Sequence, residues 1–562
     1  MPFTRSFCRG STLCPLFAIA GACALSPPLT GQAAAQPNVL VMERISVSGQ
    51  GVVEKGRFSE LPWITPDGRY VVFTTAANTL DRAPDEIAQL GLPFTGPDSS
   101  QNDVYLVDRW LPATDEARVR RLSRREFTNG SPNRGSSFGV INDDATIAFL
   151  QSKASNLDPD ESDEGILNLR KIFMVDLVTG AITLVTKHGS RQQRTGRNPA
   201  VSGDGRFVYF SSQSSSVPSP AGGVFSSGAD TDLFRFDSAL GTFALVTPTS
   251  NRTDLLPAVS SDGRWAAFAS ETDADLLTGD PSFSEGAATC DSDIYLVDMG
   301  PIDPVPAQRE PAPNLDNSGI FSGDASASNA DVTTGPAAIV PVSLSVTPNT
   351  MGAAGNALPA ISPDGRYVAF VSWADDLIAG DALGNPDTFV RDMGVPPTSN
   401  TGPSVRVSVG GSAASGAIVK NDAENGCSWG CRPSVAHVPT DGVNPGMVVV
   451  AYVTLAGFDP VDTNDAWDVY LRVMREDDLG CWNTYLVSAP APDPTTGQRS
   501  PGDMASFNPS LRAERDPLDA SMLLVRIAFE SYSTNLDPAT VDNNVARDIY
   551  YTELSVPVPA CP

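Results

Sequence analysis

One phrase is written four times along this chain: Leu61-Pro-Trp-Ile-Thr-Pro-Asp-Gly-Arg-Tyr-Val-Val-Phe73, Asn198-Pro-Ala-Val-Ser-Gly-Asp-Gly-Arg-Phe-Val-Tyr-Phe210, Leu256-Pro-Ala-Val-Ser-Ser-Asp-Gly-Arg-Trp-Ala-Ala-Phe268 and Leu358-Pro-Ala-Ile-Ser-Pro-Asp-Gly-Arg-Tyr-Val-Ala-Phe370. Such repetition constrains the fold strongly, because a short unit that cannot bury its own apolar face must stack on copies of itself. Each copy reads as a hairpin. A short apolar strand meets Asp-Gly, whose glycine accepts the positive φ of a tight turn, and a strand of β-branched and aromatic residues returns.

A third strand follows in each repeat, marked by an Asp before an apolar pair: Asp103-Val-Tyr, Asp232-Leu-Phe, Asp293-Ile-Tyr, Asp387-Thr-Phe, Asp468-Val-Tyr and Asp548-Ile-Tyr, with Lys171-Ile-Phe in the second repeat. A fourth strand ends in Ser or Thr, as in Val119-Arg-Arg-Leu-Ser123, Ile182-Thr-Leu-Val-Thr186, Phe243-Ala-Leu-Val-Thr247, Val342-Ser-Leu-Ser345, Val405-Arg-Val-Ser408 and Thr484-Tyr-Leu-Val-Ser488. Four strands per repeat make a propeller blade. First strands begin near Leu61, Phe138, Asn198, Leu256, Leu358, Arg432 and Asn508, which counts seven blades.

The seventh repeat ends after its third strand, Asp548-Ile-Tyr-Tyr-Thr552. The segment Val39-Leu-Val-Met-Glu-Arg-Ile-Ser-Val-Ser48 has the fourth-strand pattern and precedes repeat one without a hairpin of its own. The expected fold is therefore all-β: a seven-bladed β-propeller of four-stranded antiparallel blades, closed by an N-terminal strand that completes blade seven and leaves no sheet incomplete.

The Pro-Asp-Gly-Arg repeats resemble the WD-like blades of the TolB propeller, over nearly all of the chain that follows the leader. The resemblance implies the fold. TolB also carries an N-terminal α/β domain, for which no room is expected between Gln36 and the first blade, so its role and partners do not come with it.

Arg5 and Arg9, an apolar run from Leu13 to Leu25 and small residues to Ala35 read as an export signal over residues 1–35. Residues 36–562 then form one domain, exported to the periplasm or the medium, with a lipid anchor on Cys23 as the competing reading. Pro and Gly interrupt the apolar run, and nothing downstream approaches a membrane-spanning stretch. Without the leader, 36 basic residues face 66 acidic ones, a formal charge of −30. Such a field repels nucleic acid and suits cationic partners or divalent metals.

In propellers of this family the loops from strand two to strand three and from blade to blade share one face, and the other turns share the opposite one. The long acidic loops at 273–291, 375–387 and 459–468 belong to the first face. The Pro, Ala, Gly and Ser-rich segment 300–340 projects from the second and is expected to be disordered. Cys481 and Cys561 fall on one face of adjacent blades and are expected to pair. Cys427 and Cys431 can pair locally, which leaves Cys290 single.

Only two histidines exist, His188 and His437. A three-histidine zinc site, a copper cluster or a histidine-rich manganese site cannot be built from them. Gly135-Ser-Ser137-Phe-Gly139 matches a nucleophile elbow in letters, but it leads into a blade strand and not a strand-to-helix turn. Ser261-Asp262-Gly263-Arg264 lacks the residue that a sialidase Asp-box places between Asp and Gly. Two loops concentrate oxygen ligands as calcium loops do: Asp381 with Asp387, and Asp462, Asn464 and Asp468. Asp and Asn also make turns on their own backbone, and the Asp before each third strand can tie its loop or pair with the Arg of Asp-Gly-Arg.

These features point to a monomeric binding scaffold whose acidic face and central channel hold a protein, peptide or glycan. The alternative is a glycan-active or calcium-dependent hydrolase with carboxylates at the channel mouth. The side chains at that mouth discriminate the two.

Overall fold

The computed structural model describes residues 36–47, 58–77, 80, 102–112, 114–124, 134–158, 169–188, 192–193, 195–213, 231–247, 254–270, 292–301, 338–346, 351–352, 354–379, 381, 386–397, 402–410, 431–539 and 546–561. The leader, the loop 273–291, most of the 300–340 segment, Cys290 and Cys427 lie outside these residues.

Seven four-stranded antiparallel sheets follow one another. Blade one comprises Ser59–Ile64, Tyr70–Thr75, Asp103–Asp108 and Val119–Arg121; blade two, Ser136–Ile141, Ile147–Ser152, Lys171–Asp176 and Ile182–Leu184. Blade three comprises Arg197–Val201, Phe207–Gln213, Thr231–Asp237 and Thr242–Leu245; blade four, Asp254–Val259, Trp265–Ser270, Asp293–Asp298 and Ala338–Pro341. Blade five comprises Asn356–Ile361, Tyr367–Ser372, Asp387–Asp392 and Ser404–Arg406; blade six, Ser434–Val438, Met447–Thr454, Asp468–Arg475 and Trp482–Leu486. Blade seven combines Ser506–Arg515, Met522–Ser531 and Asp548–Pro557 with the N-terminal strand Asn38–Arg44. The chain is a seven-bladed β-propeller. The fourth strand of blade four lies at Ala338–Pro341, earlier than the Val342–Ser345 expected from sequence, so residues 338–340 are strand.

The first strands of successive blades touch one another all the way round, blade seven against blade one included. Apolar cores fill the gaps between blades. One joins Ile64, Phe73 and Tyr105 of blade one to Ala528, Ile549 and Tyr551 of blade seven; another joins Val449 and Leu471 of blade six to Leu511 and Val525 of blade seven. In blades one, four and five an aromatic residue of the second strand stacks on one of the third, Phe73–Tyr105, Phe268–Tyr295 and Phe370–Phe389, about 6 Å between ring centroids.

The repeated polar residues have separate tasks. In Ser-x-Asp-Gly-Arg the Asp accepts from the Ser hydroxyl and from the Arg backbone N–H, as at Ser202, Asp204 and Arg206, and the glycine sits at positive φ, 75° at Gly205. The arginine grips the Asp that ends the third strand. Arg69 holds Asp108 at 2.9 and 2.7 Å and Arg264 holds Asp298 at 2.6 and 2.7 Å, and the same pairing links Arg206 to Asp237 and Arg366 to Asp392. Each guanidinium also covers the aromatic residue that follows it.

The Asp that begins the third strand is engaged differently. It accepts from the Ser that follows the fourth strand, and that same hydroxyl accepts the next backbone N–H. Ser123 donates to Asp103 at 2.7 Å and accepts from Val104; Ser343, Ser408 and Ser488 repeat this on Asp293, Asp387 and Asp468. Of the two roles expected for this Asp, it ties strands and does not meet the Arg of Asp-Gly-Arg.

Blade seven obeys the same rule with a residue from the other end of the chain. Ser46 donates to Asp548 at 2.6 Å and accepts from Ile549 N–H at 3.0 Å, while Arg44, fully buried, pairs with the second oxygen of Asp548. Removing one partner of such a buried pair typically costs about 3–5 kcal/mol. The strand itself pairs from Asn38 against Ser555 to Arg44 against Tyr550. Cys481 and Cys561 form a disulfide that fastens the tail beyond this blade to blade six, as expected. Cys431 is also disulfide-bonded.

Deleting residues 39–48 removes this strand together with Arg44 and Ser46. The melting midpoint is expected to fall by many degrees or cooperative unfolding to vanish; an unchanged midpoint contradicts the closure.

Candidate functional site

The first strand of every blade is an edge strand, and the ring turns its free edge toward the central channel. That explains a proline in six of the seven repeats, at Pro62, Pro199, Pro257, Pro359, Pro433 and Pro509. A missing N–H costs nothing where no strand waits to accept it. Gly139 stands at the seventh position, where a Cβ would meet Val104 and Val72 at 2.4 and 2.6 Å.

Immediately before these residues the ladder slips. Register shifts occur at Glu60/Trp63, Ser137/Val140, Arg197/Ala200, Leu255/Ala258, Ala357/Ala360 and Phe507/Ser510. At each slip one non-glycine residue is left-handed: Leu61, Phe138, Asn198, Leu256, Leu358 and Asn508, with φ from 46° to 57°. For Leu and Phe this conformation costs about 1 kcal/mol or more per residue. Arg432 holds the equivalent place in blade six. Seven residues, one per blade, thus stand in a ring at equivalent places of the innermost strands, near the face that carries the strand-two-to-three loops.

Apolar members of this ring stand outside the cores. Leu61, Phe138 and Leu256 are half-buried and belong to none of the cores between blades, whereas Leu358 is buried. Leu61, Phe138 and Leu256 are thus strained residues whose apolar side chains are not fully taken up by the interior. Asn198 and Asn508 add amides, and Arg432 adds a guanidinium whose Nε donates to Pro359 O at 3.1 Å and whose Nη2 donates to Pro257 O at 3.0 Å.

Two carboxylates lie behind the ring between blades seven and one. Glu530 is fully buried; it accepts from Leu61 N–H at 2.7 Å, Asn508 Nδ2 at 2.6 Å and Arg547 Nη1 at 2.6 Å. Arg547 Nη2 also reaches Glu60 at 3.3 Å. Burial raises the pKa of both acids, the charge of Glu530 adds to the rise at Glu60, and Arg547 opposes it at each. One guanidinium occupies both carboxylates. Gln151 plays the part of Glu530 in blade two, accepting from Asn198 N–H at 3.1 Å, which marks this position as a brace for the bulge.

The residues expected to hold calcium fall into two sets. Asp381 and Asp387 converge on Arg406 Nη1 at 3.1 and 3.3 Å, so a protein cation already stands between them. Asp462 accepts from Tyr470 OH at 2.6 Å, Asn464 donates to Gly502 O at 2.7 Å, and Asp468 is the blade-six clasp to Ser488. Burial pushes the Asp468 carboxyl up to about 7, its bonds to Ser488 and Asn464 oppose this, and the neighbouring Asp462 charge adds to it. Among the described residues no group of three or more His, Cys, Asp and Glu side chains is disposed as a metal site.

His437 lies on the opposite face, between blades five and six. Nδ1 meets Asp364 at 2.6 Å and Nε2 meets Glu476 at 3.2 Å, with Tyr367 edge-on at 4.9 Å. Burial lowers the histidine pKa, but the two carboxylates outweigh it and the net shift is upward. This is a strap between blades, remote from the ring. Ser137 sits in the first strand of blade two, where its hydroxyl accepts from Gln151 at 2.9 Å. Reading the sequence by motif missed the ring, although its signal was there: a residue before proline at the same place in six repeats.

No protein-family model matches the chain, and no curated protein sequence matches it. Solved structures similar to it include other propellers. A structure assigned as TolB from Agrobacterium tumefaciens is 16% identical over 62% of this chain and 80% of that one, with a TM-score of 0.32. TolB from Acinetobacter baumannii is 15% identical over 68% of this chain and 59% of that one, TM-score 0.31. An oligogalacturonate lyase from Vibrio parahaemolyticus is 13% identical over 92% and 98%, TM-score 0.39. The fold rests on the seven sheets and their closure.

Because native Asp468 keeps its proton up to about pH 7 while the unfolded carboxyl loses it near 3.8, its share of stability is complete below pH 3.8 and disappears as pH rises through 7. The midpoint of wild type relative to Asp468→Asn is expected to decline between pH 4 and 8. A pH-independent difference contradicts the assignment.

Proposed function

We propose that this chain is an extracytoplasmic binding module that takes a protein, peptide or glycan partner at the ringed mouth of its channel. The observation that carries this reading is the chemistry of the mouth. Three half-buried apolar residues, two amides and one guanidinium stand at it, and the carboxylates behind them are held by Arg547. General acid–base chemistry needs a positioned group free to exchange a proton with a substrate, and a fully buried Glu530 with three donors on it does not supply one. Apolar groups held in a strained backbone suit recognition, where a rigid ring loses little freedom on binding. The disulfide between Cys481 and Cys561 fits an oxidising compartment. Fold likeness does not decide the matter, since propellers serve many functions.

The repeats themselves suggest the variant that tests this. Asn already stands at two ring positions, and it tolerates the left-handed conformation better than Leu. The double variant Leu61→Asn, Leu256→Asn, at two half-buried positions, is expected to melt within a few degrees of wild type and to lose the partner that wild type retains from the exporting cell's envelope or medium. A partner retained equally by both proteins, or no specific partner at all, contradicts the reading.

A second reading concerns calcium at Asp462, Asn464 and Asp468. It is supported by the second oxygen of Asp468, which is buried without a hydrogen bond of good geometry, beside a neighbouring carboxylate. Calcium that binds only the native state raises the melting midpoint. A rise over chelator that Asp462→Asn abolishes supports it; identical midpoints with calcium and chelator remove it.

A further inference from the structure

Arg432 is set apart from the other ring members by charge. Both of its bonds run to backbone carbonyls, Pro359 O and Pro257 O, and its Nη1 has no partner among the described residues. Arg432 is half-buried. Among the described residues no carboxylate pairs with it, in a chain of formal charge −28. Burial alone perturbs it, pushing its pKa down to about 10, so it remains charged at neutral pH. Arg472 provides the contrast: it too donates to carbonyls, those of Val407 and Val409, but it is buried against Trp482.

Its neighbours complete a recognisable receptor. The two prolyl carbonyls that hold the guanidinium directly follow Leu256 and Leu358, so the charge is fixed on the blade-four and blade-five side of the ring. Cys431, buried and disulfide-bonded, anchors the backbone from which Arg432 projects. A guanidinium held by two carbonyls is preorganised, and its remaining N–H groups prefer a carboxylate or similar anion over water. The acidic surface excludes free polyanions by repulsion, which leaves a single negative charge carried on an apolar body as the fitting ligand.

We infer that Arg432 Nη1 receives the carboxylate of a ligand whose apolar chain lies against the Leu256 and Leu358 side of the ring. A peptide C-terminus and a fatty acid share this chemistry. The inference rests on the channel-mouth reading above and deepens it.

The test uses the full chain without its leader and three probes: acetyl-trileucine with a free carboxylate, the same tripeptide amidated, and decanoate, each titrated by calorimetry. A charge-assisted hydrogen bond predicts that the free acid binds about tenfold or more tighter than the amide. Arg432→Gln is expected to erase that difference, and Arg432→Lys to keep part of it. Tighter binding by acetyl-trileucine than by decanoate assigns a peptide terminus, and the reverse assigns an acyl chain. Equal binding of acid and amide to wild type, which needs no variant to fold, overturns the role of Arg432 while leaving an apolar mouth in place. A difference that survives in Arg432→Gln, or no binding of any probe, also overturns it, and the partner-capture comparison judges the mouth reading independently.

Discussion

Everything in this molecule hangs on a single carboxylate that joins its two ends. Asp548 takes the hydroxyl of Ser46 and the guanidinium of Arg44 inside blade seven, more than five hundred residues away in sequence. Blades one, four, five and six each make the same Asp–Ser tie within one repeat, so those ties need no distant segment. The seventh must wait for both termini. Without it blade seven is a three-stranded sheet with an exposed edge, and the gap between blades seven and one loses Ile45 from its core.

Closure also creates the channel and dictates its chemistry. A ring of blades points seven free strand edges at one axis, and a free edge is where a sheet accepts proline, bulges and glycine. The six left-handed residues follow from that freedom. Their strain is borne by a frame that over-determines them: Glu530 and Gln151 brace two of the bulges through their backbone N–H groups. At the other end of the channel the turns are stitched directly, Asp143 N–H to Gly203 O, Gly203 N–H to Ser261 O and Ser261 N–H to Pro363 O, and the series stops at Pro363 because proline has no N–H to continue it. One end of the channel is thus tied by backbone bonds and the other is lined by side chains.

The repeated letters made the architecture legible from sequence. Asp-Gly-Arg fixed the hairpins, the count of first strands fixed seven blades, and the orphan fourth-strand pattern at Val39–Ser48 located the closure. The Cys481–Cys561 pairing was legible because blade position places both residues on one face. What escaped was partner assignment among repeated charges. Four repeats hold an Asp at both ends of the third strand, such as Asp103 and Asp108, and only geometry sends Arg69 to the second and Ser123 to the first. The mouth escaped for a related reason: Leu61, Leu256 and Leu358 look like ordinary strand residues, and nothing local marks them as left-handed and outside the cores. Asp381 and Asp387 read as cation ligands, and the cation beside them is Arg406, which lies two residues before the clasp Ser408 as Arg44 lies two before Ser46.

The claim that the N-terminal strand is an integral part of the ring is open to native-state hydrogen exchange. The account predicts that the backbone N–H groups of Val41 to Arg44 and of Tyr550 to Leu554 exchange only through global unfolding, with the same free energy and denaturant dependence as Val449 and Leu471 in blade six. Exchange of Val41 to Arg44 through a lower-energy opening, with blades one to six still protected, would contradict it.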